Sequence, residues 1–188
     1  VYLDTAATAQ RPTVVLDAVK DFYLADNANP NRGVYALDAR ATQRHEKARE
    51  CIARFLHCDA DEIVFTQNTT EGLNLVAYSY ALQALHAGDE IVLSVSEHHS
   101  NLVPWQRVAE KTGAKLVYLY PDMSGHLDET QLQKITEKTR LVCMAEVSNV
   151  LGCRMPIEEA VRRAHAVGAR FVLDAAQSVP HMKVDVRA

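Results

Sequence analysis

Short apolar runs alternate with helical patterns along most of this chain, and each run gives way to polar residues. That alternation constrains the fold more than any other feature. Ile63-Val64-Phe65, Ile91 to Val95, Leu116 to Tyr120, Leu141 to Val147 and Phe171 to Leu173 read as strands. Thr69 to Leu85, about Leu102 to Lys111, Glu129 to Thr136 and Ile157 to Val167 carry helical patterns, with Gly113 and Gly168 as stops. Strands alternating with helices predict an α/β fold with a mostly parallel sheet and helices on both faces. Two helices are expected ahead of this rhythm. Pro12 to Tyr23 places Val15, Val19 and Phe22 on one face. About Asp38 to His57 places Ala41, Ala48, Cys51, Ile52 and Phe55 on its buried side. A polar breaker, Asn27 to Gly33, separates them. With no repeat and no linker, residues 1–188 are expected to form a single domain. It reads as incomplete, because no closing element follows Asp174.

Composition narrows the classes. The chain has 188 residues and is 48% hydrophobic, enough for a sizeable core. Its 20 basic and 24 acidic residues are interspersed, for a formal charge of −4. No basic stripe points to nucleic acid, and the apolar runs are too short to span a membrane. Val1-Tyr2-Leu3-Asp4 does not resemble a signal peptide, and the missing Met points to trimming at the front. Cysteines stand at 51, 58, 143 and 153 without a CxxC pair, a set that fits a reducing cytoplasm. Cys51 and Cys58 are expected in helix packing and Cys143 in a strand. Cys153, after a glycine, is expected to be the most accessible.

The polar residues after each run carry the chemistry. Thr66 to Gly72 follow Phe65, Ser96 to Asn101 follow Val95, Ser148-Asn149 follow Val147, and Asp174 with Gln177 follow Leu173. In a parallel sheet these ends share one edge, where open α/β folds bind ligands. Thr69 and Thr70 open a helix, whose free N–H groups suit a phosphate or an ordinary capping box. Asp174 could hold a protonated ring nitrogen or cap the next helix. His98 is flat and able to carry a proton, or is a surface histidine beside His99. Asn149 and Gln177 could hydrogen-bond a phenolic oxygen. Together these describe a pyridoxal phosphate pocket. Glu97-His98-His99 is discounted as a metal site, because neighbours on extended backbone diverge and no HExxH is present. GxGxxG, GxxxxGK[ST] and GxSxG are also absent.

Tyr2 to Thr8, Asn68-Thr69-Thr70-Glu71-Gly72, Glu97-His98-His99-Ser100-Asn101-Leu102-Val103-Pro104-Trp105, Val147 to Gly152 and Asp174-Ala175-Ala176-Gln177 occur in that order. In this the chain resembles the class V aminotransferase family, and most closely its group II cysteine desulfurases and selenocysteine lyases. The resemblance covers nearly the whole chain. It implies the large domain of a fold type I pyridoxal phosphate enzyme. It also implies roles. Thr69 and Thr70 would hold the cofactor phosphate, His98 would stack on the ring and move protons, and Asp174 would pair with the ring nitrogen. Gln177 would bond the phenolic oxygen, and Asn149 with the backbone near Ala6 would place the substrate carboxylate.

The implied reaction is desulfuration of L-cysteine to L-alanine, with sulfur passing to an enzyme cysteine. A cytoplasmic homodimer, a sulfur-acceptor protein and a place in iron–sulfur cluster assembly are implied with it. A selenocysteine lyase, epimerase or aminotransferase on the same cradle is the alternative, as is a non-catalytic α/β fragment. Two departures stand out. Asn31 precedes Arg32-Gly33 where the family usually has histidine. The family's Schiff-base lysine, in a Ser-Gly-His-Lys segment, its acceptor cysteine and its small domain are expected beyond this stretch, and Lys183 lies too early to match. This stretch alone is therefore expected to be inactive.

Overall fold

The computed structural model describes residues 1–187, and these cluster into two compact units. Thr66–Met182 form the larger one. Its sheet has four strands: β1 (Glu90–Ser94), β2 (Lys115–Leu119), β3 (Thr139–Ala145) and β4 (Arg170–Asp174). They lie in the order β2-β1-β3-β4, and every pairing is parallel. The register sets Leu93 beside Cys143 and Ala145 beside Asp174.

The strand centres are apolar because both faces are covered. Ile91, Leu93, Leu141 and Cys143 point to one core, with Leu73, Ala77, Ala81, Trp105 and Val108. Val92, Val142 and Met144 point to the other, with Leu127, Leu132, Ala160 and Ala164. The first core is roofed by α3 (Thr69–Val76), a π turn at Ala77–Ala81, α4 (Leu82–Ala84) and α5 (Val103–Thr112). The second is roofed by α6 (Ile157–Ala166) and a 3₁₀ segment, Glu129–Lys134. Leu73, Ala77, Ala81 and Leu85 recur every four residues, so a single apolar stripe runs through the π turn. Gly113 ends α5 at φ 77°, a left-handed conformation that glycine adopts without a Cβ clash.

After β1 the chain crosses by α5 to β2 on one side. After β3 it crosses by α6 to β4 on the other. The two helices leave for opposite faces, so the sheet has a switch point between β1 and β3 at its C-terminal edge. Open α/β sheets bind ligands at that place.

The other unit comprises Val1–Phe65 with the segment from Lys183. It holds α1 (Thr13–Ala25) and α2 (Ala36–Leu56). Asp26, just past α1, accepts from Arg40 Nε at 2.7 Å and Arg44 Nε at 2.6 Å on α2. The Arg40 hydrogen bond, helped by Arg44, holds the Asp26 carboxyl below its usual range. His57 ends α2 at φ 60° and pairs with Asp185 at 2.8 Å.

Four sequence expectations are corrected. Val15 and Val19 are exposed and only Phe22 is half-buried, so α1 has no buried residue. On α2, Ala48, Cys51, Ile52 and Phe55 are exposed, while Ala41 and Ala53 are buried. Helical periodicity shows that a face is apolar, and these faces lack a covering layer among the described residues. Cys51, not Cys153, is accordingly the exposed cysteine, Cys58 and Cys153 are half-buried, and Cys143 is fully buried in β3. Ile63–Phe65 is not a ladder strand. Ile63 is extended, its carbonyl accepts from the Arg49 guanidinium, and that guanidinium stacks on the Phe65 ring at 5.1 Å. No described helix is long and apolar enough to cross a membrane.

Leu141 is fully buried on the strand that pairs on both sides. Leu141→Ala should cost about 2–5 kcal/mol of stability in the Thr66–Met182 unit. Hydrogen exchange at the β1 and β3 amides checks this, and a loss under about 0.5 kcal/mol would show that β3 does not hold the core.

Candidate functional site

The ends of β1, β3 and β4 lie side by side, so the polar residues that follow them share one edge. Past β1, the Ser94 and Ser96 hydroxyls are 2.8 Å apart, and the chain then turns through a 3₁₀ segment, His99–Asn101. His98 precedes that turn and is exposed. Ser100 N–H donates to His98 Nδ1 at 3.1 Å, and Ser100 Oγ lies 2.7 Å from the same nitrogen. The neutral ring therefore carries its proton on Nε2, which is the nitrogen left to act on a ligand.

Past β3, Ser148 is buried and organises a tight turn. Its Oγ accepts from Leu151 N–H at 3.2 Å, and its carbonyl accepts from Gly152 N–H at 2.9 Å. Asn149 rides on this turn, exposed. Past β4, Asp174 is 5% exposed and its Oδ1 accepts from Ala176 N–H at 3.0 Å. No Lys, Arg or His among the described residues forms an ion pair with it. Gln177 sits half-buried in the following turn. His98, Asn149, Asp174 and Gln177 thus lie on the segments that end or follow these three strands at one edge.

Thr69 and Thr70 reach the site by a different route. The run before them is not a strand; they are the exposed first residues of α3, which packs against the 99–101 turn. Asn68 caps that helix by accepting from Glu71 N–H at 2.9 Å. The N–H groups of the first turn have no partner within a helix, so the capping and anion-binding readings coexist here. Ala6 lies in an exposed turn of the other unit.

The sequence reading weighed Glu97 only as a metal ligand and discounted it. Its residue is 7% exposed. Glu97 Oε2 accepts from Asn101 Nδ2 at 2.7 Å and from Ala145 N–H at 2.8 Å, across the switch point. Asn101 Oδ1 in turn accepts from Trp105 Nε1 at 2.9 Å. The four-residue spacing of Glu97, Asn101 and Trp105 was the available signal. Burial pushes the Glu97 carboxyl up to about 8. The charge of Asp174 adds to the rise, while the Asn101 and Ala145 hydrogen bonds oppose it.

A carboxyl with a raised value binds more protons folded than unfolded. Its contribution is therefore fully favourable at low pH and is lost as pH rises from about 4.5 to about 8. Glu97→Gln removes this dependence. The stability of that variant relative to the wild type should grow by up to about 1.4 kcal/mol per pH unit across that window. Denaturation at several pH values checks it, and parallel stability curves would show that Glu97 is not buried as described.

The fold defines a class: an α/β protein whose parallel sheet has its switch point between β1 and β3. The chain belongs to the aminotransferase class-V family, whose model matches residues 1–188. It is 49% identical to a probable cysteine desulfurase of Halalkalibacterium halodurans over 189 residues, which cover 100% of this chain and 47% of that protein. The apo structure of a cysteine desulfurase from Thermococcus onnurineus NA1 matches with a TM-score of 0.95 at 43% identity, over 100% of this chain and 46% of that one. The S-sulfonic acid form of the cysteine desulfurase CsdA from Escherichia coli matches with a TM-score of 0.88 at 41% identity, over 99% and 47%. The chain spans about half the length of the curated relatives it matches.

Proposed function

We propose that the whole protein is a pyridoxal phosphate-dependent cysteine desulfurase. It would convert L-cysteine to L-alanine and pass the sulfur to an enzyme cysteine, with residues 1–188 cradling the cofactor. The observation that carries this reading is Asp174. A buried carboxylate without a cationic side chain beside it, among the described residues, stands at the end of a strand bordering the switch-point strand. Such a group fits a cationic ring nitrogen. The donor set around it fits the rest of the cofactor, and the relatives at 41–49% identity are named for this activity.

On this reading the α3 N-terminus, with Thr69 and Thr70, holds the phosphate. Asp174 pairs with the ring nitrogen and His98 lies against the ring. Gln177 bonds the phenolic oxygen, and Asn149 helps place the substrate carboxylate. When bound, pyridoxal phosphate supplies an electron sink for negative charge at the substrate α-carbon. His98 Nε2 is the atom that holds or moves a proton, since Ser100 occupies Nδ1. Ser94 and Ser148, at this edge, are buried.

The finer assignments follow from the same reading. Four free thiols suit a cytoplasmic protein. The exposed apolar faces of α1 and α2 suit burial in a homodimer. A sulfur-acceptor protein and a role in iron–sulfur cluster assembly complete the proposal.

The full-length protein, given pyridoxal phosphate, L-cysteine and a thiol reductant, should yield alanine and sulfide in equal amounts. Turnover of another amino acid in place of cysteine would contradict the assignment. Asp174→Ala should cost far more in turnover than in cofactor occupancy, because an unpaired ring nitrogen loses its proton and stabilises negative charge poorly. Near-normal rates in that variant would remove the role given to Asp174.

A further inference from the structure

Glu97 is absent from the cofactor assignments above, yet it is the side chain that crosses the switch point. One oxygen, Oε2, takes both available donors, Asn101 Nδ2 and Ala145 N–H. The other, Oε1, is buried without a hydrogen-bond partner among the described residues. No cationic side chain among those residues pairs with Glu97. A charge in that setting would be unpaired in a dry environment, whereas a neutral acid leaves only a polar group there. The oxygen that accepts two N–H bonds behaves as the carbonyl oxygen, which puts the proton on Oε1. The titratable groups whose charge interacts with Glu97 are Asp174 on β4 and Cys143 on β3.

We propose that Glu97 is a positioning residue for His98. As a neutral acid it ties the start of the His98 turn to β3 through Ala145 and to α5 through Asn101 and Trp105, leaving Asp174 as the only negative charge of the pair. Ala145 is the register partner of Asp174, so this tie locates His98 and Asp174 from the same residue of β3. The turn itself is closed by Asn101 N–H donating to the His98 carbonyl at 2.8 Å. Asn101 is thus bonded by its backbone to His98 and by its side chain to Glu97. Two charged carboxylates flanking Ala145 would push the two loops apart, and the proton on Glu97 removes that repulsion. The inference rests on the cofactor reading only for what His98 and Asp174 are positioned to hold.

The indole N–H of Trp105 reports the chain of bonds, because ionising Glu97 polarises Asn101 and strengthens the bond that Trp105 makes to it. In the full-length protein labelled with ¹⁵N-Trp and ¹⁵N-His, the Trp105 resonance is assigned by its loss in Trp105→Phe. It should move downfield as pH rises, with a midpoint near 8. Glu97→Gln should hold the acid position at every pH and keep the wild-type ring signals of His98. Glu97→Leu should displace the His98 signals and speed exchange of the Ala145 amide about tenfold. A Trp105 resonance indifferent to pH, a titration that persists in Glu97→Gln, or unmoved His98 signals in Glu97→Leu would each overturn the proposal. If Glu97→Leu fails to fold, the Glu97→Gln comparison decides alone. Failure to take up pyridoxal phosphate, alongside a normal Trp105 titration, would refute the cofactor reading and leave the positioning role intact.

Discussion

The parallel pairing of β3 with both of its neighbours is the constraint on which the rest of the larger unit depends. β3 bonds to β1 on one side and β4 on the other, so three strand ends stop together at one edge. Helices leave β1 and β3 for opposite faces, and the crevice between them follows from that crossing. A shift of one residue in any pairing would turn core side chains toward the opposite face. Because Val142 and Met144 fill one core while Leu141 and Cys143 fill the other, such slippage is strongly resisted. Placement of the polar ends is thus a by-product of burying the strands.

The segment from Glu97 to Trp105 connects that scaffold to the edge. Glu97, Asn101 and Trp105 point inward and are bonded in series, while His98 and His99 between them are exposed. Polar groups this deep are tolerable because Asn101 is satisfied on both its donor and acceptor sides. The same segment therefore anchors itself in the core and presents an imidazole to the surface. Ser100 completes the arrangement by fixing which ring nitrogen faces outward.

Much of this was legible in the sequence. All four ladder strands were readable, because strands covered on both faces are continuous apolar runs flanked by turn residues. His98, Asn149, Asp174 and Gln177 were legible as edge residues for the same reason. The Ile63–Phe65 run looked identical but has no ladder partner among the described residues, since an apolar run specifies burial and not pairing. The faces of α1 and α2 failed for a related reason: periodicity identifies a stripe without identifying what covers it. Glu97 was harder to read for a third reason. A carboxylate beside two histidines reads as a surface or ligand group, and only the fold brings Ala145 N–H to it.

On the proposed reading, the edge built by β1, β3 and β4 presents Asp174 to a cationic ring nitrogen with His98 against the ring. The most direct test is the ¹⁵N chemical shift of the ring nitrogen of labelled pyridoxal phosphate bound to the full-length protein. A shift typical of a protonated nitrogen in the wild type, moving to that of a neutral nitrogen in Asp174→Ala, is what this account predicts. A neutral nitrogen in the wild type, or the same shift in both proteins, would contradict it.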